Sequence, residues 1–269
     1  MLLINADDWG GWPAATDAIL RCYQHGRISS VSAMVFMADS ERAARLAAEN
    51  GIDSGLHINF SQPFTGNANT VPGLAEAHRR IMRFLRSSKF ALLLYHPFLR
   101  KEFRFVFQAQ LDEFVRLYGK APSHFDGHQH LHLCTNMLLD RILPAGERVR
   151  RSFSFLPGEK SAFNRAYRRW VDRRLAARHR LTDYFFSLSQ QLRWEQMPRV
   201  VQLAQAASVE LMVHPEWPRE HDFLMGPESE TLLRQMGSQE VAAAPKLAGE
   251  LQPDLAFARS SSTFSEAPK

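Results

Sequence analysis

The chain has 269 residues, 45% hydrophobic and 23% charged, with a formal net charge of +5. That size and balance suit one large globular α/β domain and exclude a largely disordered chain or two independent domains. Two cysteines, Cys22 and Cys134, offer no disulfide framework, and a reducing cytosol is their natural home.

The N-terminus, Met1-Leu2-Leu3-Ile4-Asn5, has neither the basic nor the long apolar region of a signal peptide. The longest apolar stretch, Phe90 to Tyr95, is far short of the roughly 20 residues that cross a bilayer. A cytoplasmic protein without a transmembrane segment is expected.

Short apolar runs alternate with helical patterns, the signature of βα units and a mainly parallel sheet. Leu2 to Asn5 reads as a buried strand ending at Ala6-Asp7-Asp8. Pro13 suits the first turn of a helix that stops at Gly26. Val31 to Met37 reads as a second strand, and Ser40 as the cap of an alanine-rich helix ending at Asn50-Gly51. Gly55 to Phe60 is a third strand carrying His57. Ser61 to Gly73 is a loop. Helices are expected over Leu74 to Ser87 and Lys101 to Tyr118. Ser123 to Asp126 is a fourth strand running into Gly127-His128-Gln129-His130.

Further helices are expected over Asn136 to Leu143, Ala162 to His179, Trp194 to Ala206 and Glu228 to Met236. Val209 to Val213 is a strand ended by His214-Pro215, and Leu255 to Ala258 a last one. Residues 1–259 form a single domain, with 148–195 read as an insertion or lid and 260–269 as a mobile tail. Arg148 to Arg180 is rich in arginine and opposed there only by Glu159 and Asp172. A solvated helix face and a surface for an anionic substrate or lipid headgroup both fit that bias. Nucleic acid is not expected, because no binding motif accompanies the charge.

Asp7, Asp8, His57, His128 and His214 all fall at or just after strand ends, the edge where parallel α/β folds build active sites. Asp7 and Asp8 follow a buried strand, where carboxylates are costly unless paired or bound to a cation. An N-cap or turn role is the alternative. His57 alone reads as well as an ordinary core histidine. His128, His130 and His132 alternate after Asp126; imidazoles suit Zn²⁺ and similar ions, and one ligand with supporting partners fits better than three on one ion. His214 is equally a loop cap or a catalytic acid. Tyr95-His96-Pro97 lacks a preceding strand and reads as structural.

These residues together resemble the YdjC-like carbohydrate deacetylase family. Its pattern is N-A-D-D-F-G, then G-L-H or G-M-H, then D-S-H-Q-H or D-S-H-H-H, then a late H-P. Here these stand as Asn5 to Gly10, Gly55 to His57, Asp126 to His130 and His214-Pro215. Thr182 to Phe186 also looks like a family feature. Trp9 stands for the usual Phe, Gly127 for the usual Ser, and Glu216-Trp217 for a small residue after His-Pro.

The resemblance implies a distorted (β/α) barrel of the polysaccharide-deacetylase type, a homodimer, and one divalent metal, Mg²⁺ or Zn²⁺, on Asp8, His57 and His128. It implies Asp7 as the proton-accepting carboxylate. The expected reaction is metal-dependent removal of an acetyl group from an N-acetylated amino sugar or oligosaccharide. His214 is expected to protonate the leaving amine. Trp9, Asn59, Asp126, His130 and Trp217 are expected to contact the carbohydrate. Two other readings compete. One is a metal-dependent hydrolase of a phosphorylated or lipid-linked sugar or another amide. The other is a non-catalytic sugar-binding module using Trp12, Phe64 and Trp217 as stacking platforms.

Overall fold

The computed structural model describes residues 1–155 and 159–235. The expected strand at Leu255 to Ala258 and the tail at 260–269 lie outside the described residues. In chain order the elements are β1 (Leu2–Trp9), α1 (Pro13–Gln24), β2 (Ser30–Ala33), α2 (Ser40–Asn50), β3 (Asp53–Ile58), α3 (Leu74–Arg86) and α4 (Arg100–Tyr118). There follow β4 (Phe125–Gly127), α5 (Thr135–Leu139), α6 (Ala162–Ala176), β5 (Tyr184–Ser187), α7 (Leu188–Arg193), α8 (Met197–Ala206), β6 (Val209–Val213), α9 (Pro218–Met225) and α10 (Pro227–Gln235).

The six strands form one parallel sheet in the order β4-β3-β2-β1-β6-β5, curled into an open barrel with helices around it. Strands covered on both faces need apolar side chains on both, which is why they read as near-continuous hydrophobic runs. Leu2, Ile4 and Ala6 of β1 pack with Leu56 and Ile58 of β3 and Val209, Leu211 and Val213 of β6 in one core. Among the described residues no helix is long and apolar enough to cross a membrane.

Three local departures from the sequence reading bear on the site. β1 runs on through both aspartates to Trp9, with a register irregularity between Ala6 and Trp9. Asp8 there has a φ of +64°, a left-handed conformation that aspartate tolerates better than most residues. β3 begins at Asp53, and Gly55 within it is required by packing. A Cβ there would come within 2.4 Å of the His124 ring. Finally, the start of the stretch expected as an insertion or lid, residues 148–154, supplies barrel wall. Arg148 and Arg150 exchange backbone hydrogen bonds with Phe125 of β4, Val149 bonds to Arg180, and Ser154 bonds to Phe185 of β5. These contacts bridge the opening between β4 and β5. β5, Tyr184–Ser187, is a strand that the sequence analysis did not expect.

Candidate active site

Strand register brings the distant motifs together. His57 pairs with Asp126 across β3 and β4, and Ala6 pairs with Val213 across β1 and β6, so His214 follows directly beside Asp7. After β4 the chain turns through two consecutive left-handed residues, Gln129 (φ +54°) and His130 (φ +59°). The turn breaks the alternation expected for the three histidines. His128 swings onto Asp8, His130 folds against Phe153 with ring centroids 4.5 Å apart, and His132 bonds through Nε2 to the Arg150 carbonyl. Gly127 permits the fold-back, because a Cβ there would sit 2.9 Å from the His132 amide nitrogen.

Asp8, His57 and His128 form one constellation, each offering a ligand atom within 4.8 Å of the others. His57 Nε2 lies 3.4 Å from Asp8 Oδ1, and His128 Nδ1 lies 2.9 Å from the same oxygen. Burial alone would raise the Asp8 carboxyl, but hydrogen bonds from His128 and His57 hold it well below the usual carboxylate range. The other face of His57 is fixed by Nδ1 donating to Asp126 Oδ1 at 2.8 Å. A carboxylate behind an imidazole is the usual support of a metal-binding histidine, fixing its tautomer and orientation. One carboxylate and two imidazoles with open positions fit a catalytic divalent cation, Zn²⁺ among them.

Beneath this constellation lies Arg150, fully buried, which the sequence reading had left within the basic run. Its guanidinium donates to both Asp7 oxygens at 2.7 Å and to Glu210 Oε1 at 2.6 Å, and it is ion-paired with Asp126 Oδ2 at 2.6 Å. Its Cζ sits 5.0 Å above the Phe185 ring. Asp7, His57 and Asp126 also lie close enough to form a second ligand group, but Arg150 already supplies the positive charge there. Burial would raise Asp126, yet Arg150 and then His57 hold it well below the usual range. Burial also opposes a charged His57, and the carboxylates of Asp126 and Asp7 override it, so that His57 is pushed up to about 10. Val149 and Arg150 are both buried, so alternation along this segment gave no sign that the arginine faces inward.

The remaining expected residues separate into different environments. His214 stacks on Trp217 with centroids 4.3 Å apart, its backbone N–H donates to Glu220 Oε2 at 2.5 Å, and its Nδ1 is enclosed without a partner. Trp217 is 47% exposed and available to a sugar. Trp9 is fully buried in the core, so its ring has no face to offer a substrate. Asn59 is buried and spent on its own turn, accepting from the Ser61 and Gln62 amides. Asp126 is fully buried and acts through His57 and Arg150. Of the stacking platforms considered, Trp12 and Phe64 are part of the core packing.

Glu216 was noted in the sequence only as a departure from the family pattern. Both its carboxyl oxygens are enclosed with no hydrogen-bond partner, and burial pushes it up to about 7. Its own backbone amide opposes that shift, and Asp8, Glu220 and Asp7 add to it. Its neighbourhood is therefore the metal constellation itself.

The family model described as YdjC-like protein matches residues 1–255. The chain belongs to the YdjC-like family. A mouse protein named carbohydrate deacetylase is 30% identical over 254 residues, covering 81% of this chain and 78% of the mouse protein. A human protein of the same name is 36% identical over 137 residues, covering 49% of this chain and 41% of that one. A Serratia marcescens chitooligosaccharide deacetylase is 29% identical over 136 residues, covering 49% of this chain and 51% of that one. The last two matches thus span about half of those relatives or less. A solved structure from Enterococcus faecalis V583, described as that of a candidate cellobiose-phosphate cleavage protein, superimposes with a TM-score of 0.62 at 16% identity. It covers 88% of this chain and 94% of its own, and it establishes the shared fold.

Proposed function

We propose that this YdjC-like protein is a metal-dependent deacetylase acting on an N-acetylated amino sugar or oligosaccharide. The observation that carries the reading is the convergence of Asp8, His57 and His128 beside a second carboxylate, Asp7, whose orientation Arg150 fixes through both oxygens. The relatives named as deacetylases supply the substrate class.

A divalent cation held by Asp8, His57 and His128 would polarise an amide carbonyl and acidify a water. The chain's own groups then divide the remaining work. Asp7 takes a proton from the attacking water as its oxygen bonds to the carbonyl carbon. His214 gives a proton to the sugar nitrogen as the carbon–nitrogen bond breaks, because an amine anion is a very poor leaving group. Acetate and the free amino sugar result. Asp126 holds the His57 ring in the tautomer that turns Nε2 toward Asp8. Trp217, half exposed beside His214, offers a face to the sugar. The resemblance to the family points to a homodimer.

Acetate release from a panel of N-acetylated sugars, with the protein loaded in turn with Zn²⁺ and Mg²⁺, tests the reading. Activity should vanish on chelation and in His128→Ala, and return on metal addition to the native chain only. A protein that binds neither metal, or that is equally active after chelation, would overturn it.

A further inference from the structure

A cavity of about 550 Å³ lies away from the metal constellation. It lies against the C-terminal half of α6, with Arg141, Arg173, Arg174, Arg178, His179 and Trp170 in its lining and an apolar floor of Met137, Leu138 and Leu175. Among the described residues no carboxylate lines it. The two acids of this arginine-rich stretch are engaged elsewhere. Asp172 is bonded to Arg151 and Ser152, and Glu159 lies against Arg199. Arg174 Nε and His179 Nδ1 are enclosed with no partner, a state that native proteins seldom leave unfilled. Arg141 adopts a φ of +49°, and backbone strain of this kind tends to gather at binding sites.

The outward face of α6 has a second property. Phe163 is 83% exposed and Trp170 49% exposed, one heptad apart on the same side of the helix. Exposed Arg169 and Arg173 flank them. Aromatic side chains beside unpaired arginines on a surface helix are the composition of a helix lying in a membrane interface.

We propose that α6 and its arginine-lined cavity form a docking surface for an anionic phospholipid membrane. Phosphate headgroups enter among Arg141, Arg173, Arg174 and Arg178, whose guanidinium forks suit phosphate oxygens. Phe163 and Trp170 settle at the level between headgroups and acyl chains. A small soluble anion would use the arginines but leave the two aromatic rings in water. A second copy of the chain meeting this face through a two-fold axis would bring like charges together. This surface operates apart from the metal constellation and does not depend on the proposed reaction.

The test is co-sedimentation of the full chain with vesicles of phosphatidylcholine alone and of phosphatidylcholine with phosphatidylglycerol. Binding is expected to the anionic vesicles only and to weaken with salt. Each arginine near an anionic surface is worth about fivefold in affinity, so replacing Arg173, Arg174 and Arg178 by Gln together should weaken binding on the order of 100-fold. Phe163→Ser with Trp170→Ser should weaken it tenfold or more. Replacing the same three arginines by Lys should restore attraction to the vesicles, and circular dichroism of every variant should match the native chain. Absence of binding to anionic vesicles would overturn the proposal. So would binding unchanged in both variant sets, or saturable binding of pyrophosphate or single-stranded RNA with none to vesicles.

Discussion

Arg150→Met removes the charge beneath the candidate metal constellation while filling similar volume. In the native chain that guanidinium makes four contacts of 2.6–2.7 Å to Asp7, Asp126 and Glu210. The side chains of these acids are 3%, 0% and 11% exposed. Without the arginine Asp126 keeps only His57 as a charged partner, Glu210 keeps none from this cluster, and removing one partner of a buried ion pair costs about 3–5 kcal/mol. A domain of this kind has a total stability of about 5–15 kcal/mol, so the variant should sit near its threshold.

The cost should depend on pH in a definite direction. Natively, Asp126 is held well below its ordinary value, so its contribution to stability is present above the unfolded value and lost on acidification. In the variant, burial of Asp126 is opposed by His57 but no longer by Arg150, and Glu210, already raised by burial, loses the arginine that lowers it, so both carboxyls move up. The neutral form of Glu210 then stabilises the fold at low pH, and that stability is lost as the pH rises through its raised value. The gap between native and variant should therefore be small near about pH 5 and large near about pH 8. Urea denaturation followed by circular dichroism measures it. A loss under about 1 kcal/mol near pH 8, or a gap that widens on acidification, would refute the argument that Arg150 balances three buried acids.

Asp8→Asn should lose metal affinity, whereas Asp7→Asn should bind metal at native stoichiometry and lose turnover; metal analysis alongside acetate release separates the two, and the reverse pattern would exchange their roles. His214→Ala should keep its metal and lose on the order of 10²–10⁴-fold in kcat, the usual worth of a proton transfer, and undiminished kcat on an amide substrate would remove it from the reaction. Glu216 is pushed up to about 7 from 4.5 by burial, so its neutral form stabilises the metal-free protein below about 4.5, and that stability is lost as the pH rises through about 7. Glu216→Gln should flatten the chelated protein's stability profile in that window; an unchanged slope would place the carboxyl in water.

The candidate ligands stood out in the sequence because metal chemistry favours a few residue types and a parallel sheet presents them at strand ends. The strand pattern placed Asp8, His57 and His128 at one edge, with β1, β3 and β4 within a few residues of their true bounds, but it was the resemblance to the family that grouped the three as one ligand set. Arg150 was not legible for the opposite reason. Its neighbours Arg148 and Arg151 make it one of a charge run, and only tertiary structure distinguishes an arginine that faces three buried acids from one that faces water. His130, expected to contact the carbohydrate, instead packs against Phe153, because the chain leaves β4 at Gly127 through two left-handed residues whose turn local sequence does not announce. Trp9 was misread because its neighbours in the motif are functional, while the bulge in β1 turns its own side chain into the core.

The buried carboxylates also determine how a metal must enter. In the metal-free protein His57 is pushed up to about 10 from 6.5, against the effect of burial, by Asp126 and Asp7. Its charged form stabilises that state fully below about 6.5, and the contribution is lost as the pH rises through about 10. Nδ1 donates to Asp126, so the titrating proton is on Nε2, 3.4 Å from Asp8 Oδ1. A metal on this triad requires the lone pair of that same nitrogen, and Asp8 is already ionised. Binding should therefore release about one proton from His57, and apparent affinity should rise about tenfold per pH unit across the neutral range. Calorimetric titrations in buffers of different ionisation enthalpy count that proton directly. Asp126→Asn removes the main charge holding it and should reduce both the proton count and the pH slope. A native chain that binds metal with no proton release near neutral pH would show that His57 is already neutral there, and that the carboxylates around it are not balanced as the distances imply.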